Sequence, residues 1–154
     1  MVENKIISNW LKKKNWNLYE HQKKIIHDIS KGSNVLLISP TGTGKTLSAF
    51  FPSIIDLSNK SLKLNILHTL YISPLKSLTY NIEKNIIDTI KDISLNISIA
   101  SRTGDTSFKK KKEQLLNPPN ILMTTIESFA ILMSEKNSKN FFQNLKFVII
   151  DEIH

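Results

Sequence analysis

Runs of apolar, mostly β-branched residues recur along the chain at positions 35–39, 67–73, 97–101, 121–125 and 147–151. A half-exposed strand would alternate apolar and polar positions. These runs are apolar on both faces and so predict buried parallel strands. Helix-length stretches separate them, and in the clearest one Leu75, Leu78, Ile82, Ile86 and Ile90 recur at spacings of three and four along one face. That is the spacing of a helix packed on a sheet. Strand and helix in steady alternation predict an α/β fold, a doubly wound and mainly parallel sheet with right-handed crossovers.

Ahead of the first run, Ile6, Ile7, Trp10 and Leu11, then Tyr19, Gln22, Ile25, Ile26 and Ile29, predict two helices, the second stopped at Gly32. The expected division is therefore a helical segment at 1–32 and a lobe at 33–154. Residues 59–65 and 117–120, the latter with Pro118 and Pro119, read as surface loops. The four-lysine run from Lys109 to Lys112 reads as a solvated helix face.

A length of 154 residues suits one domain with its own core. No apolar run approaches the ~20 residues of a membrane span, and positions 1–14 lack the pattern of a secretion signal, so a cytoplasmic protein without a membrane partner is expected. There is no cysteine and the four histidines are scattered, so any metal would be held by oxygen ligands. The net charge of +8 favours an anionic partner. Nearly all of that charge is lysine, with Arg102 the sole arginine in a chain rich in Ile and Asn, which is also the bias of an AT-rich coding sequence. Charge alone therefore leaves the partner open.

The first run leads into Ser39-Pro40-Thr41-Gly42-Thr43-Gly44-Lys45-Thr46, and Leu47, Ala49, Phe50 and Phe51 then begin a helix. Glycines at 42 and 44 let the backbone curl its N–H groups towards phosphate, and the following helix adds the positive end of its dipole. Lys45 can reach the β and γ phosphates of a nucleotide, and the Thr46 hydroxyl can ligate magnesium. The bland alternative is a Gly-rich turn with an incidental Lys-Thr, and Ser39 breaks the strict glycine pattern at its first position. The last run delivers Asp151 and Glu152 to the end of a strand, where doubly wound folds bind ligands. Asp151 would share the magnesium with Thr46, and Glu152 would polarise the attacking water. Two acids after a strand also serve as ordinary helix caps. Three more strand ends carry Pro74 and Lys76; Arg102, Thr103 and Gly104; and Thr124 and Thr125. Together they offer a track for a phosphate backbone, and singly each is an ordinary capped turn.

Taken together, these segments resemble the superfamily 2 helicases of the DEAD/DEAH-box type, and most closely the Lhr-like (large helicase-related) group, from about Tyr19 to His154. In that group the phosphate loop often reads S-P-T-G-S-G-K-T, which accounts for Ser39 and makes Thr43 a mild change. The resemblance implies a RecA-like P-loop lobe that binds ATP and Mg2+, with Thr41, Gly42, Thr43, Gly44, Lys45 and Thr46 around the nucleotide and Gln22 reading adenine. It implies catalytic roles for Lys45, Asp151 and Glu152, and nucleic-acid contacts through Pro74, Lys76, Arg102, Thr103, Gly104, Thr124 and Thr125. His154 would couple nucleotide state to strand binding. Ile126 stands where the group's T-T-P-E-S has proline. Single- or double-stranded nucleic acid is the implied partner, with DNA favoured. A second RecA-like lobe carrying an arginine finger is expected to be needed for turnover, so the chain alone should hydrolyse ATP slowly or not at all. The other readings are a superfamily 2 translocase and a non-catalytic nucleotide or nucleic-acid binding module.

Overall fold

The computed structural model describes residues 5–40, 42–59 and 65–153. The chain resolves into two compact units, Met1–Leu62 with Lys91–Leu95, and Lys63–Ile90 with Asn96–His154. No helix among the described residues is long and apolar enough to cross a membrane.

The first unit contains α1 (Lys5–Lys14), α2 (Glu20–Ser30) and α3 (Lys45–Ser58). Both N-terminal helices form where the apolar spacing predicts, and each turns its periodic residues inward: Ile7 and Trp10 from α1, Ile25 from α2. Trp10 meets Phe51 of α3 edge-on at 6.3 Å between ring centroids, and Trp16 at 5.7 Å. Offset or edge-on pairs of this kind exceed simple area burial in strength, so they fix the helix pair as well as hide it. The last residue of α1, Lys14, bonds Asp92 at 2.7 Å. That hydrogen bond holds the Asp92 carboxyl below its ordinary range. In α3, Phe50, Phe51, Ile54 and Leu57 are fully buried. Pro52 sits inside this helix and has no N–H to give the carbonyl one turn back.

The second unit is a parallel sheet, with β1 (Thr69–Ser73), β2 (Ile99–Arg102), β3 (Ile121–Thr125) and β4 (Phe147–Ile150) in the order β2-β3-β1-β4. The connecting helices are α4 (Lys76–Ile93), α5 (Phe108–Leu116), α6 (Ile126–Ser134) and α7 (Ser138–Phe142). This is the expected doubly wound α/β class. β1 pairs with β3 in the register Thr69↔Ile121 to Ser73↔Thr125, and with β4 from Thr69↔Phe147 to Ile72↔Ile150. Both central strands, β1 and β3, are buried at every position, as strands apolar on two faces must be. Leu67, Leu70, Ile72, Leu122, Leu132 and Phe141 form the core, each sequestered side chain stabilising the fold by about 1.5–3 kcal/mol. Ile82, Ile86 and Ile90 of α4 are buried as their spacing requires, whereas Leu75 lies ahead of the helix and is exposed.

Two expectations are corrected. Residues 35–39 form no ladder among the described residues, so the sheet has four strands there instead of five. Leu36 is 73% and Ile38 86% exposed. An apolar run becomes a strand only where a neighbour takes its N–H and C=O groups, and composition cannot show whether one does. On the sheet, β4 is an edge strand with Val148 53% and Ile150 54% exposed. The second correction concerns 117–120, where Pro119 and Asn120 are buried. The Asn120 carboxamide oxygen accepts from the Ser98 backbone N–H and hydroxyl, both at 3.0 Å, and its backbone carbonyl accepts from His68 and Thr69. A side chain that ties the entry of three strands in this way belongs to the core, although its type suggests a turn.

Candidate nucleotide and nucleic-acid site

In the first unit, the segment after residue 39 curls because Gly42 (φ +81°) and Gly44 (φ +75°) both take the left-handed backbone that other residues adopt only with strain. Gly44 caps α3, and the first helical bond runs from the Ser48 N–H to the Gly44 carbonyl at 2.9 Å. The N–H groups of Lys45, Thr46 and Leu47 thus lie in the first turn, where a helix has no internal acceptor to offer them. The loop is braced from within: the Thr43 hydroxyl donates to the Pro40 carbonyl at 2.9 Å, and Ser39 and Thr43 hydroxyls lie 2.9 Å apart. Ser39, which departs from the strict glycine pattern, thereby stiffens the loop. A row of free N–H groups at a dipole's positive end, on a braced loop beside a lysine, fits a phosphate chain. Thr41 lies outside the described residues.

Gln22 is buried on α2, and its carboxamide oxygen accepts from the Tyr19 N–H at 3.0 Å, closing the start of that helix. A Cβ placed on Gly44 would lie 3.1 Å from the Gln22 amide nitrogen, so that side chain approaches the loop closely. One half of the Gln22 amide is thus committed to the fold and the other faces the phosphate loop.

In the second unit, Asp151 continues the sheet past β4, its N–H bonding the Ile72 carbonyl at 2.9 Å. The Tyr71 hydroxyl donates to the Asp151 carboxylate at 2.7 Å. Burial, reinforced by this acidic acceptor, raises the Tyr71 phenol far above its ordinary range, so it remains a donor. Tyr71, which holds the candidate carboxylate, was not singled out from the sequence; its one signal is a polar-tipped aromatic between Leu70 and Ile72. The Glu152 N–H bonds the Asp151 side chain at 3.0 Å, and Glu152 carries φ +52°, a conformation costly for a residue with a Cβ. His154 lies outside the described residues. No group of three or more His, Cys, Asp or Glu side chains converges on a metal position among the described residues. The Asp151 carboxylate is an oxygen donor, the chemistry that magnesium takes beside waters and phosphate oxygens.

The strand ends of β1, β2 and β3 carry the expected nucleic-acid residues, and the structure divides them. Lys76 and Gly104 are exposed and Pro74 is partly so. Arg102, Thr103, Thr124 and Thr125 are buried. Arg102, 3% exposed, donates to the Lys111 carbonyl at 2.9 Å and faces Glu135 at 3.8 Å. Burial lowers its basicity, and Glu135 partly restores it. Thr124 bonds the Arg102 carbonyl at 2.7 Å, Thr125 caps α6 by accepting from Ser128, and Thr103 meets the Tyr80 hydroxyl at 2.8 Å. Small hydroxyl residues at strand ends signal turns of this kind whether or not a ligand lies beyond. Lys76 reaches Asp105 at 2.6 Å, and that bond raises its ammonium above the ordinary range.

The sequence profile of the DEAD/DEAH box helicases matches residues 19–154. The chain belongs to that family. It is 39% identical over 163 residues to the ATP-dependent helicase Lhr-Core of Methanocaldococcus jannaschii, covering 97% of this chain and 19% of the relative. Among solved structures, the Mycobacterium smegmatis helicase Lhr bound to ssDNA and AMP-PNP superposes with a TM-score of 0.83 at 30% identity, over 94% of this chain and 19% of that one. The DUF1998 helicase MrfA bound to DNA and AMPPNP superposes at 0.86 and 26% identity, over 99% of this chain and 21% of that one. This DEAD/DEAH-box chain therefore spans about a fifth of the length of each of these three proteins.

Proposed function

We propose that the chain is the ATP-binding lobe of an ATP-dependent nucleic-acid helicase, with DNA the favoured strand. The observation that carries this reading is the glycine-framed loop at the start of α3, with Gly42 and Gly44 in left-handed backbone and Lys45 and Thr46 in the first turn. Lys45 and the loop N–H groups bind the β and γ phosphates, and Thr46 and Asp151 are the side chains for magnesium, which would neutralise charge on the phosphates. Glu152 holds the proton of the attacking water, and Tyr71 fixes the carboxylate of Asp151. Gln22 and the exposed Tyr19 receive adenine. His154 links nucleotide state to strand binding. DNA is favoured because two of the similar structures contain it. The residues 1–32 belong functionally with the lobe through Gln22.

Turnover requires a second lobe. The sole arginine of the sequence is Arg102, and its guanidinium is buried against Lys111. A finger arginine contributes about 10³- to 10⁵-fold, so the chain alone binds ATP and hydrolyses it very slowly. Calorimetric titration of the folded chain with ATP analogue and magnesium, repeated on Lys45→Ala, tests this reading. Saturable binding abolished by the substitution is expected, and equal binding by both proteins would overturn it.

A further inference from the structure

The basic edge of the second unit contains an acid that the nucleotide and nucleic-acid readings leave unused. Asp105 lies in the turn between β2 and α5, and its carboxylate accepts from the Lys76 ammonium at 2.6 Å. Both side chains are solvent-accessible, 49% for Lys76 and 63% for Asp105, so the pair is not part of the packed interior. The turn that carries Asp105 is held independently of it. Thr103 accepts from the Thr106 N–H through its carbonyl, its own N–H bonds the Thr106 hydroxyl at 2.9 Å, and its hydroxyl meets Tyr80 of α4. Gly104 leaves room for the lysine: a Cβ there would lie 3.3 Å from the Lys76 Nζ. The lysine and its acid are thus set against each other on a braced turn, and an exposed ion pair of this kind contributes little to stability.

We propose that Asp105 is an internal competitor for the nucleic-acid backbone, occupying the Lys76 ammonium in the free protein until a strand phosphate displaces it. This rests on Lys76 being a contact for the nucleic-acid backbone, as the resemblance to the superfamily 2 helicases implies. A phosphate arriving at Lys76 meets an ammonium already hydrogen-bonded to a carboxylate, and once the lysine has turned to it, Asp105 is left as an uncompensated negative charge beside a polyanion. Both effects weaken binding, in proportion to the strength of an exposed pair. The competitor therefore makes retention of the strand weaker than the lysine alone would make it, which favours release and re-engagement.

Fluorescence anisotropy of a labelled oligothymidylate, at one low salt concentration, tests this on four variants checked for folding by thermal melting. Asp105→Asn is expected to tighten binding about two- to fivefold, the range an exposed pair supports. Lys76→Ala is expected to weaken it. In the Lys76→Ala background, Asp105→Asn should retain only the small general effect of removing one negative charge. Asp88→Asn, an exposed acid three turns further along α4, measures that general effect. Weaker binding by Asp105→Asn, or a gain no larger than that of Asp88→Asn, would overturn the proposal while leaving Lys76 as a ligand. Unchanged binding by Lys76→Ala would instead remove the functional reading of Lys76, and the competitor with it.

Discussion

Replacing Tyr71 by Phe removes one hydroxyl and leaves the ring, and the structure sets what that should cost. The donor is 1% exposed and the bond to Asp151 is 2.7 Å, the length of a charge-assisted contact. Hydrogen bonds to charged partners contribute about 1.5–3 kcal/mol. Asp151 is only partly buried, so water can reach the released carboxylate, and the low end, about 1.5 kcal/mol, is expected. The pH dependence follows from the raised phenol. Below the unfolded value of about 10, Tyr71 is protonated in both states and its contribution is complete. Above it the unfolded chain releases a proton that the folded chain retains, and stability falls by about 1.4 kcal/mol per pH unit. Tyr71→Phe has no such loss, so its stability deficit should shrink above pH 10 and close near about pH 11. Urea unfolding of both proteins across this range measures the gap. Equal stability at neutral pH, or a gap that widens in alkali, would refute the assignment of Tyr71 as the group holding Asp151.

Arg102→Ala should destabilise the fold by about 2–3 kcal/mol by releasing the Lys111 carbonyl and emptying a buried site, measured by the same unfolding curves. An unchanged midpoint would refute the stabilising role of the Arg102 contacts. Val148 and Ile150 on the free edge of β4 predict concentration-dependent self-association of this chain, reduced by Val148→Lys, in sedimentation velocity. The same distribution of species for both proteins would place the contact elsewhere.

The parts of the fold legible in the sequence are those governed by local pattern. The two-faced apolar runs at 69–73 and 121–125 became the central strands, and the three-four spacing through Ile82, Ile86 and Ile90 became the buried face of α4. The turn at 42–44 was equally legible, because glycine at 42 and 44 suits the left-handed backbone found there. What escaped depends on partners distant in sequence. Residues 35–39 look like a strand, yet no neighbour takes up their backbone among the described residues. Asn120 looks like a loop residue and is a buried hub. The contacts of Arg102 with the Lys111 carbonyl and Glu135 join residues 9 and 33 positions away, and no local pattern announces them. Tyr71 and Asp151 are eighty residues apart, and no local pattern joins them.

The central claim is that the loop from Gly42 to Thr46 holds the phosphates of ATP. Backbone amide NMR of the chain during titration with magnesium and a non-hydrolysable ATP analogue tests it most directly. The account predicts saturable shifts centred on the N–H groups of Gly42, Gly44, Lys45 and Thr46, and their loss in Lys45→Ala. A folded chain whose loop amides stay unmoved at saturating nucleotide, or move alike in both proteins, would contradict it.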